Sequence, residues 1–424
     1  MNETFALSHL SPVWSRGSDL IAVRGEGAYL YDPDGTAYLD FTTGIGVTNT
    51  GHAHPRVVAA IREQAGKLLH GQANIAWHPP LLALVEELRQ IVPPRLDGFF
   101  FSNSGAEAIE GALKLVRMAT GRPNVIVFQG GFHGRTIGTM SLTTSKTIYR
   151  AGYQPLMPGV FIAPYPYAYR FGWEPEQTST WCLEELEFLL NTQTAPHETA
   201  AVLVEPVLGE GGYVVPPQGF LKGLRQICDQ HGILLILDEV QSGFGRTGKW
   251  FAFEHFGIQP DIMTVAKGLA SGMPLSGVIA PLSLMEKWTP GSHGGTYGGN
   301  AVSAAAAVAT IQTIRDEKLL ENACLRGAQL MDGLRCLQEK HPQLGDVRGL
   351  GLMVGCEFRD HNFRPDKNSA KAVVRACFED HLMLLTCGPW DNTVRWIPPL
   401  IVSAEQIQQA LEIFGKALYT AAEV

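Results

Sequence analysis

No Cys-x-x-Cys pair, no internal repeat, no low-complexity tract and no long run of one charge occurs in these 424 residues. Each absence removes a class. The 7 cysteines are odd in number and unpaired in spacing, which argues against a disulfide scaffold or a cysteine-clustered metal site. They are expected to serve as core filler in a reduced, cytoplasmic setting. Apolar runs are short: Ile233–Leu237 falls far below the roughly 20 residues that a membrane-spanning helix needs. Met1 to Leu20 contains Glu3, Pro12 and Asp19 and lacks a continuous apolar core, so it does not read as a secretory signal. Positive charge is also in deficit. A net charge of −8 gives no general attraction to nucleic acid or anionic membrane, so any anionic ligand must be held by local groups.

What is present is apolar material for a large core, with 45% hydrophobic and 17% charged residues. The length allows two or three domains of roughly 100–200 residues. Short apolar runs occur at Gly98–Ser102, Asn124–Phe128, Val160–Pro164, Ala201–Glu205, Leu234–Asp238, Ile262–Ala266 and Ser276–Ala280. Most are continuous, not alternating, as expected of strands covered on both faces. Helical stretches such as Ala106–Thr120 and Phe220–His231 lie between them, the latter stopped at Gly232. This alternation predicts an α/β fold with a largely parallel, doubly wound sheet, whose ligands sit beyond the carboxyl ends of the strands. Tyr29–Phe41 reads as a hairpin turning at Asp32-Pro33-Asp34-Gly35, and long helices follow Ala301. The expected division is an N-terminal segment 1–55, a large domain 56–300 and a C-terminal segment 301–424. Both chain ends would contribute to the smaller domain.

Four strand ends carry chemistry. Leu234–Leu237 runs into Asp238, and a carboxylate at the tip of a buried strand needs a partner. A turn cap or an arginine would suffice. A ring nitrogen kept protonated by the opposite charge would also suffice, and a pyridinium is what pyridoxal phosphate needs to act as an electron sink. Ile262–Ala266 runs into Lys267, followed by Gly268-Leu269-Ala270-Ser271-Gly272. Most lysines are solvated, but this setting is poor material for an exposed face. A partly desolvated lysine is nucleophilic and can form an imine with an aldehyde. Phe100–Ser102 leads through Asn103-Ser104-Gly105-Ala106 into a helix, an anion site by geometry or an ordinary helix cap. Gly130-Gly131-Phe132-His133-Gly134-Arg135-Thr136 offers an aromatic ring to stack on a flat cofactor, or simply loop packing.

Taken together, these motifs resemble the class III (subgroup II) pyridoxal-phosphate-dependent aminotransferases. The resemblance runs from about Gly27 to the C-terminus. It also rests on Glu205-Pro206, Asp238-Glu239-Val240-Gln241-Ser242-Gly243-Phe244-Gly245-Arg246-Thr247-Gly248, Ala266-Lys267-Gly268 and Gly294-Gly295-Thr296-Tyr297-Gly298-Gly299-Asn300. It implies fold type I, the aspartate-aminotransferase-like fold, with a seven-stranded, mostly parallel sheet. It further implies that Lys267 is the Schiff-base lysine and that Asp238 pairs with the pyridinium. Gln241 would meet the cofactor's phenolic oxygen, and Phe132 would stack on the ring with His133 beside it. Ser104, Gly105 and Ala106 would cradle the phosphate. Thr296 would reach the phosphate of a neighbouring subunit in a homodimer or a dimer of dimers.

Within the family the chain is most similar to 4-aminobutyrate aminotransferases, through Ile45, Arg135, Glu205 and Arg395. The resemblance implies that Arg135 receives the carboxylate of an omega-amino acid and Arg395 the α-carboxylate of glutamate, with Glu205 pairing Arg395 when it is idle. Ile45 would narrow the pocket. Gln72, where these enzymes often carry cysteine, and the bulky Thr386-Cys387-Gly388-Pro389-Trp390 depart from the pattern. The expected reaction transfers an amino group to 2-oxoglutarate with ping-pong kinetics. Racemisation or epimerisation of an amino acid, and transamination of ornithine or acetylornithine, are the alternatives.

Two motifs read as decoys. Gly243-Phe244-Gly245-Arg246-Thr247-Gly248 fits a dinucleotide fingerprint, but Lys249-Trp250-Phe251 is too bulky for the close helix packing such a site needs. Gly51-His52-Ala53-His54 lacks a second ligand cluster, and no metal is expected.

Overall fold

The computed structural model describes residues 3–422; Met1 and Asn2 of the N-terminal stretch, and Glu423 and Val424, lie outside it. At its centre is a seven-stranded sheet in the order Gly98–Ser102, Ser276–Ala280, Ile262–Val265, Leu234–Asp238, Thr199–Val204, Asn124–Phe128, Val160–Ala163. Ser276–Ala280 runs antiparallel to both its neighbours, and the other pairings are parallel.

The continuous apolar runs are explained by burial on both faces. Val125 and Val127 point into one core with Ile109, Ala112 and Val116 of helix Gly105–Thr120. Ile126 and Phe128 point into the other core with Phe220, Leu221 and Leu224 of helix Gln218–His231. Period-two alternation therefore survives, but both sides need apolar residues. Each fully buried Val, Leu or Ile here contributes about 1.5–3 kcal/mol. Helix Gly105–Thr120 starts at a capping box, with the Ser104 side chain accepting from the Glu107 amide and the Glu107 carboxylate accepting from the Ser104 amide.

Two smaller sheets flank the large one. Strands Arg24–Glu26, Tyr29–Tyr31 and Ala37–Asp40 form an antiparallel meander, and Leu382–Met383 from late in the chain adds to it in parallel. Strands Leu344–Leu350, Met353–Phe358, Thr393–Trp396 and Leu385–Cys387 form an antiparallel sheet that carries Arg395. Helix Ala301–Asp316 packs on helices Pro55–Ala65 and Pro79–Arg89, with Ala306 and Ala309 against Val57.

Among the described residues no helix is long and apolar enough to cross a membrane. Five of the seven cysteines are buried. The Gly243–Gly248 loop opens no helix. Its glycines serve packing instead: Gly248 has φ +85°, and a Cβ there would come within 2.4 Å of Cys324 Sγ. The enclosed Arg246 donates to the carbonyls of Leu352 and Pro398 and to Asn49 Oδ1. His52 pairs with Asp40 at 2.8 Å and His54 with Glu317 at 3.1 Å.

Candidate functional site

The carboxyl ends of five sheet strands open onto one cavity of about 420 Å³. Its lining includes Ser104, Gly105 and Ala106 beyond the Gly98–Ser102 strand, and Phe132, His133 and Arg135 beyond the Asn124–Phe128 strand. Glu205 and Glu210 follow the Thr199–Val204 strand. Asp238, Val240, Gln241, Ala266 and Lys267 complete the polar side. Strand directionality brings together residues more than 160 positions apart, as expected at the crevice of a doubly wound sheet.

Asp238 and Thr264 sit side by side in register on adjacent parallel strands, which places Asp238 close to the end of the strand that leads to Lys267. The Asp238 carboxylate is held at both oxygens. Oδ2 lies 2.8 Å from His133 Nδ1, while Oδ1 accepts from the Val240 amide at 3.1 Å and from Thr264 Oγ1 at 3.2 Å. Such a carboxylate has one fixed orientation. Lys267 has φ +45°, a left-handed conformation that a non-glycine residue adopts at a cost. Burial lowers its ammonium pKa below the ordinary value, against the opposing pull of Glu210. Its amine is thereby made easier to hold neutral, which is the nucleophilic form. Gln241 Oε1 is buried and has no partner within the protein, so a ligand group is needed to satisfy it. Gly209 leaves room for that side chain, since a Cβ there would come 2.9 Å from Gln241 Nε2.

The capping box consumes the amides of Asn103, Ser104 and Glu107. The amides of Gly105 and Ala106, in the first turn, have no intrahelical acceptor. Both residues line the cavity, at the positive end of a 16-residue helix.

The acid paired with Arg395 is Glu210, not Glu205. The sequence reading took the glutamate before Pro206. The turn that follows, Gly209-Glu210-Gly211-Gly212, brings the later acid back over the strand Thr393–Trp396 instead. Glu205 is turned elsewhere: its carboxylate accepts from the amides of Phe132 and Gly209, each at 2.7 Å. Burial pushes Glu205 up to about 7. Burial is the largest influence on Glu210 and works to raise it, yet Arg395, Lys267 and Lys146 together hold that acid below the usual carboxylate range. Glu210 lines the cavity; Arg395 lies behind it, only 5% exposed.

Arg135 is exposed at the cavity, with its guanidinium 5.0 Å from the Tyr149 ring centre and 5.6 Å from that of Phe132. Phe132 meets Tyr149 edge to face at 5.2 Å. Three other expected residues are not part of this chain's cavity wall. Ile45 is 38% exposed on the Thr43–Gly46 turn, and Val47 supplies the wall contact instead. The turn has left-handed φ at Thr43, Gly44 and Ile45, which swings Ile45 outward. Gln72 and Thr296 share a separate shallow recess with Asn74, Lys114 and His293. Sequence reasoning missed Glu210, Val47, Tyr149 and the Met273-Pro274-Leu275 segment of the wall. An acid isolated among glycines was the one available signal, for Glu210.

Comparison with known proteins agrees with this geometry. The family model described as Aminotransferase class-III matches residues 11–418. A probable 4-aminobutyrate aminotransferase of Bacillus subtilis is 40% identical over 409 residues, covering 95% of this chain and 94% of the relative. An alanine/serine racemase of Pyrococcus horikoshii is 39% identical over 406 residues, covering 94% and 85%. The solved omega transaminase from Pseudomonas jessenii in complex with PMP superposes with a TM-score of 0.93 at 30% identity, covering 99% of this chain and 98% of that one. The topology is that of fold type I, and the chain belongs to the class-III aminotransferases, a family of pyridoxal-phosphate enzymes.

Proposed function

We propose that this chain transfers the amino group of an omega-amino acid, with 4-aminobutyrate as the leading substrate, to 2-oxoglutarate. The observation that carries the reading is the placement of two guanidiniums of different availability. Arg135 stands open at the cavity, while Arg395 is masked by Glu210. An amine with a carboxylate only at its far end needs one receptor. Glutamate needs two, and a displaceable acid lets one site serve both, since guanidinium binds carboxylate through paired hydrogen bonds.

The residues present fit pyridoxal phosphate. Gly105 and Ala106, with Ser104, would hold the phosphate; Asp238, oriented by His133, the ring nitrogen; Gln241, lining the cavity, would donate from its amide NH2 to the ring's phenolic oxygen; Phe132 would stack on the ring. When bound, the cofactor supplies an aldehyde for amines and an electron sink for the carbon bearing them. Lys267 is the cavity's amine and, in its neutral form, would serve as the base for the proton on the carbon bearing the substrate's amine. The fixed Asp238 carboxylate would keep the cofactor's ring nitrogen protonated. Ping-pong kinetics follow, because donor and acceptor use the same cavity in turn.

On this reading Thr296 and Gln72 serve a neighbouring subunit's site in a homodimer or a dimer of dimers. The exposed Leu69, Ile75, Trp77 and Tyr297 beside them support that, as an apolar surface of this kind suits an interface. The division at 55 and 300 and a cytoplasmic location belong to the same proposal, as does the absence of nucleic-acid or membrane partners.

Incubation of the purified protein with 4-aminobutyrate and 2-oxoglutarate should produce glutamate. No glutamate, together with loss of optical rotation from L-alanine or L-serine, would instead establish the racemase reading. Borohydride reduction should fix the cofactor on Lys267, and Lys267→Ala should abolish both the label and the visible absorption band.

A further inference from the structure

A second cavity, of about 730 Å³, lies outside the site described above. Its wall is built from Ala168–Trp173, from Glu357–Arg359 with Phe363 and Pro365, and from Trp390. Trp390 belongs to the segment that departs from the family pattern and that the reaction leaves unused. Arg170 stands 5.2 Å from the Trp390 ring centre and 5.8 Å from that of Phe171, and Phe171 stacks on Trp173 at 5.2 Å. Opposite, Arg359 stands 4.4 Å from the ring centre of Phe363. Neither guanidinium has a carboxylate within ion-pair distance among the described residues, although Arg359 Nε donates to the Pro342 carbonyl at 3.3 Å.

Two details show that the wall has unmet demands. Phe363 holds φ +61° and is 74% exposed, so a strained backbone presents a large apolar ring to water. Trp173 and Trp390 are 40% and 42% exposed. The acid in the wall, Glu357, is paired: Arg348, which also contacts Asp346 at 2.7 Å, reaches it at 2.8 Å, and Tyr167 donates to it. The wall thus carries two cations, Arg170 and Arg359, against one paired acid, and both cations lie over aromatic faces.

We propose that this cavity binds a small planar aromatic anion, a flat ring carrying a carboxylate or a phosphate. The exposed rings of Trp390, Trp173 and Phe363 would stack on the ring system. Arg170 and Arg359 would take the anionic group through charge-assisted hydrogen bonds, which their planar forks suit. The volume lies within the usual range of small-ligand sites, about 300–1,000 Å³.

Titration calorimetry on the holoenzyme tests this with two probes, indole-3-acetate for a carboxylate source and AMP for a nucleotide source, and 3-methylindole as the uncharged control. At least one anion should bind while the reaction site is saturated with substrate, and the uncharged ring should bind at least about tenfold more weakly. Arg170→Ala and Arg359→Ala should each weaken the anion about tenfold or more and leave transamination intact, since both side chains lie away from the reaction. Which probe binds identifies the source. Three results would overturn the proposal: no binding of either anion, equal binding of the uncharged ring, or a signal that persists in both variants or vanishes when substrate fills the reaction site.

Discussion

Arg395 and Glu210 form a buried ion pair of which only the acid faces the reaction cavity. The cation is thus present but masked, and removing the mask should change which substrate is preferred. In Glu210→Gln the ratio of kcat/KM for glutamate over that for 4-aminobutyrate should rise about tenfold, since a charged partner no longer competes for the guanidinium. An unchanged ratio would show the pair to be structural. The larger deletion Glu210→Ala leaves a buried cation alone and should cost about 3–5 kcal/mol of stability, which a denaturant midpoint would register.

Asp238→Asn keeps acceptors for the Val240 amide and Thr264 Oγ1 but removes the charge. Circular dichroism should remain that of the parent, while kcat falls on the order of a hundredfold or more as the ring nitrogen loses its proton. Near-parental turnover would remove Asp238 from the mechanism.

Arg135 is exposed and rests on Tyr149 and Phe132 without a carboxylate partner among the described residues. Arg135→Ala should raise KM for 4-aminobutyrate more than KM for glutamate, because glutamate retains Arg395. Steady-state kinetics with both donors decides it; equal losses would assign the arginine to loop packing alone.

Glu239 lies next to Asp238 and is fully buried, accepting from Ser242 Oγ and the Phe253 amide. Burial pushes it up to about 7, from an ordinary value of 4.5. The folded state therefore binds this proton more tightly than the unfolded chain does. Its contribution is fully present below the unfolded value and is lost as pH rises through the folded one. In Glu239→Gln the decline in Tm between about pH 5 and 8 should flatten. A variant that follows the parent across that window would contradict the assignment.

The seven strands of the large sheet were legible because each is a short apolar run with a polar or glycine-rich stop, and all seven runs appear as strands. The turn at Asp32–Gly35 was legible for the same local reason. The dinucleotide-like loop, set aside on the bulk of Trp250 and Phe251, opens no α-helix. Glu205 was misread as the partner of Arg395 because the motif records a residue's presence, while the direction of its side chain depends on the turn around it. Two turns place the residues that meet the cavity. One brings Glu210 onto Arg395 across 185 positions, and the other, with left-handed backbone at Ile45, puts Val47 at the wall.

The sequence alone determined which residues terminate the buried strands, and with them the lysine, the aspartate and the helix start that share the cavity. That information is local: hydrophobic runs and their stops are written in consecutive residues. Only the tertiary structure decided which acid masks Arg395, that Gln72 and Thr296 sit apart from this chain's own cavity, and that Trp390 walls a second one. Those outcomes depend on pairing between segments far apart in the chain, which no local pattern encodes.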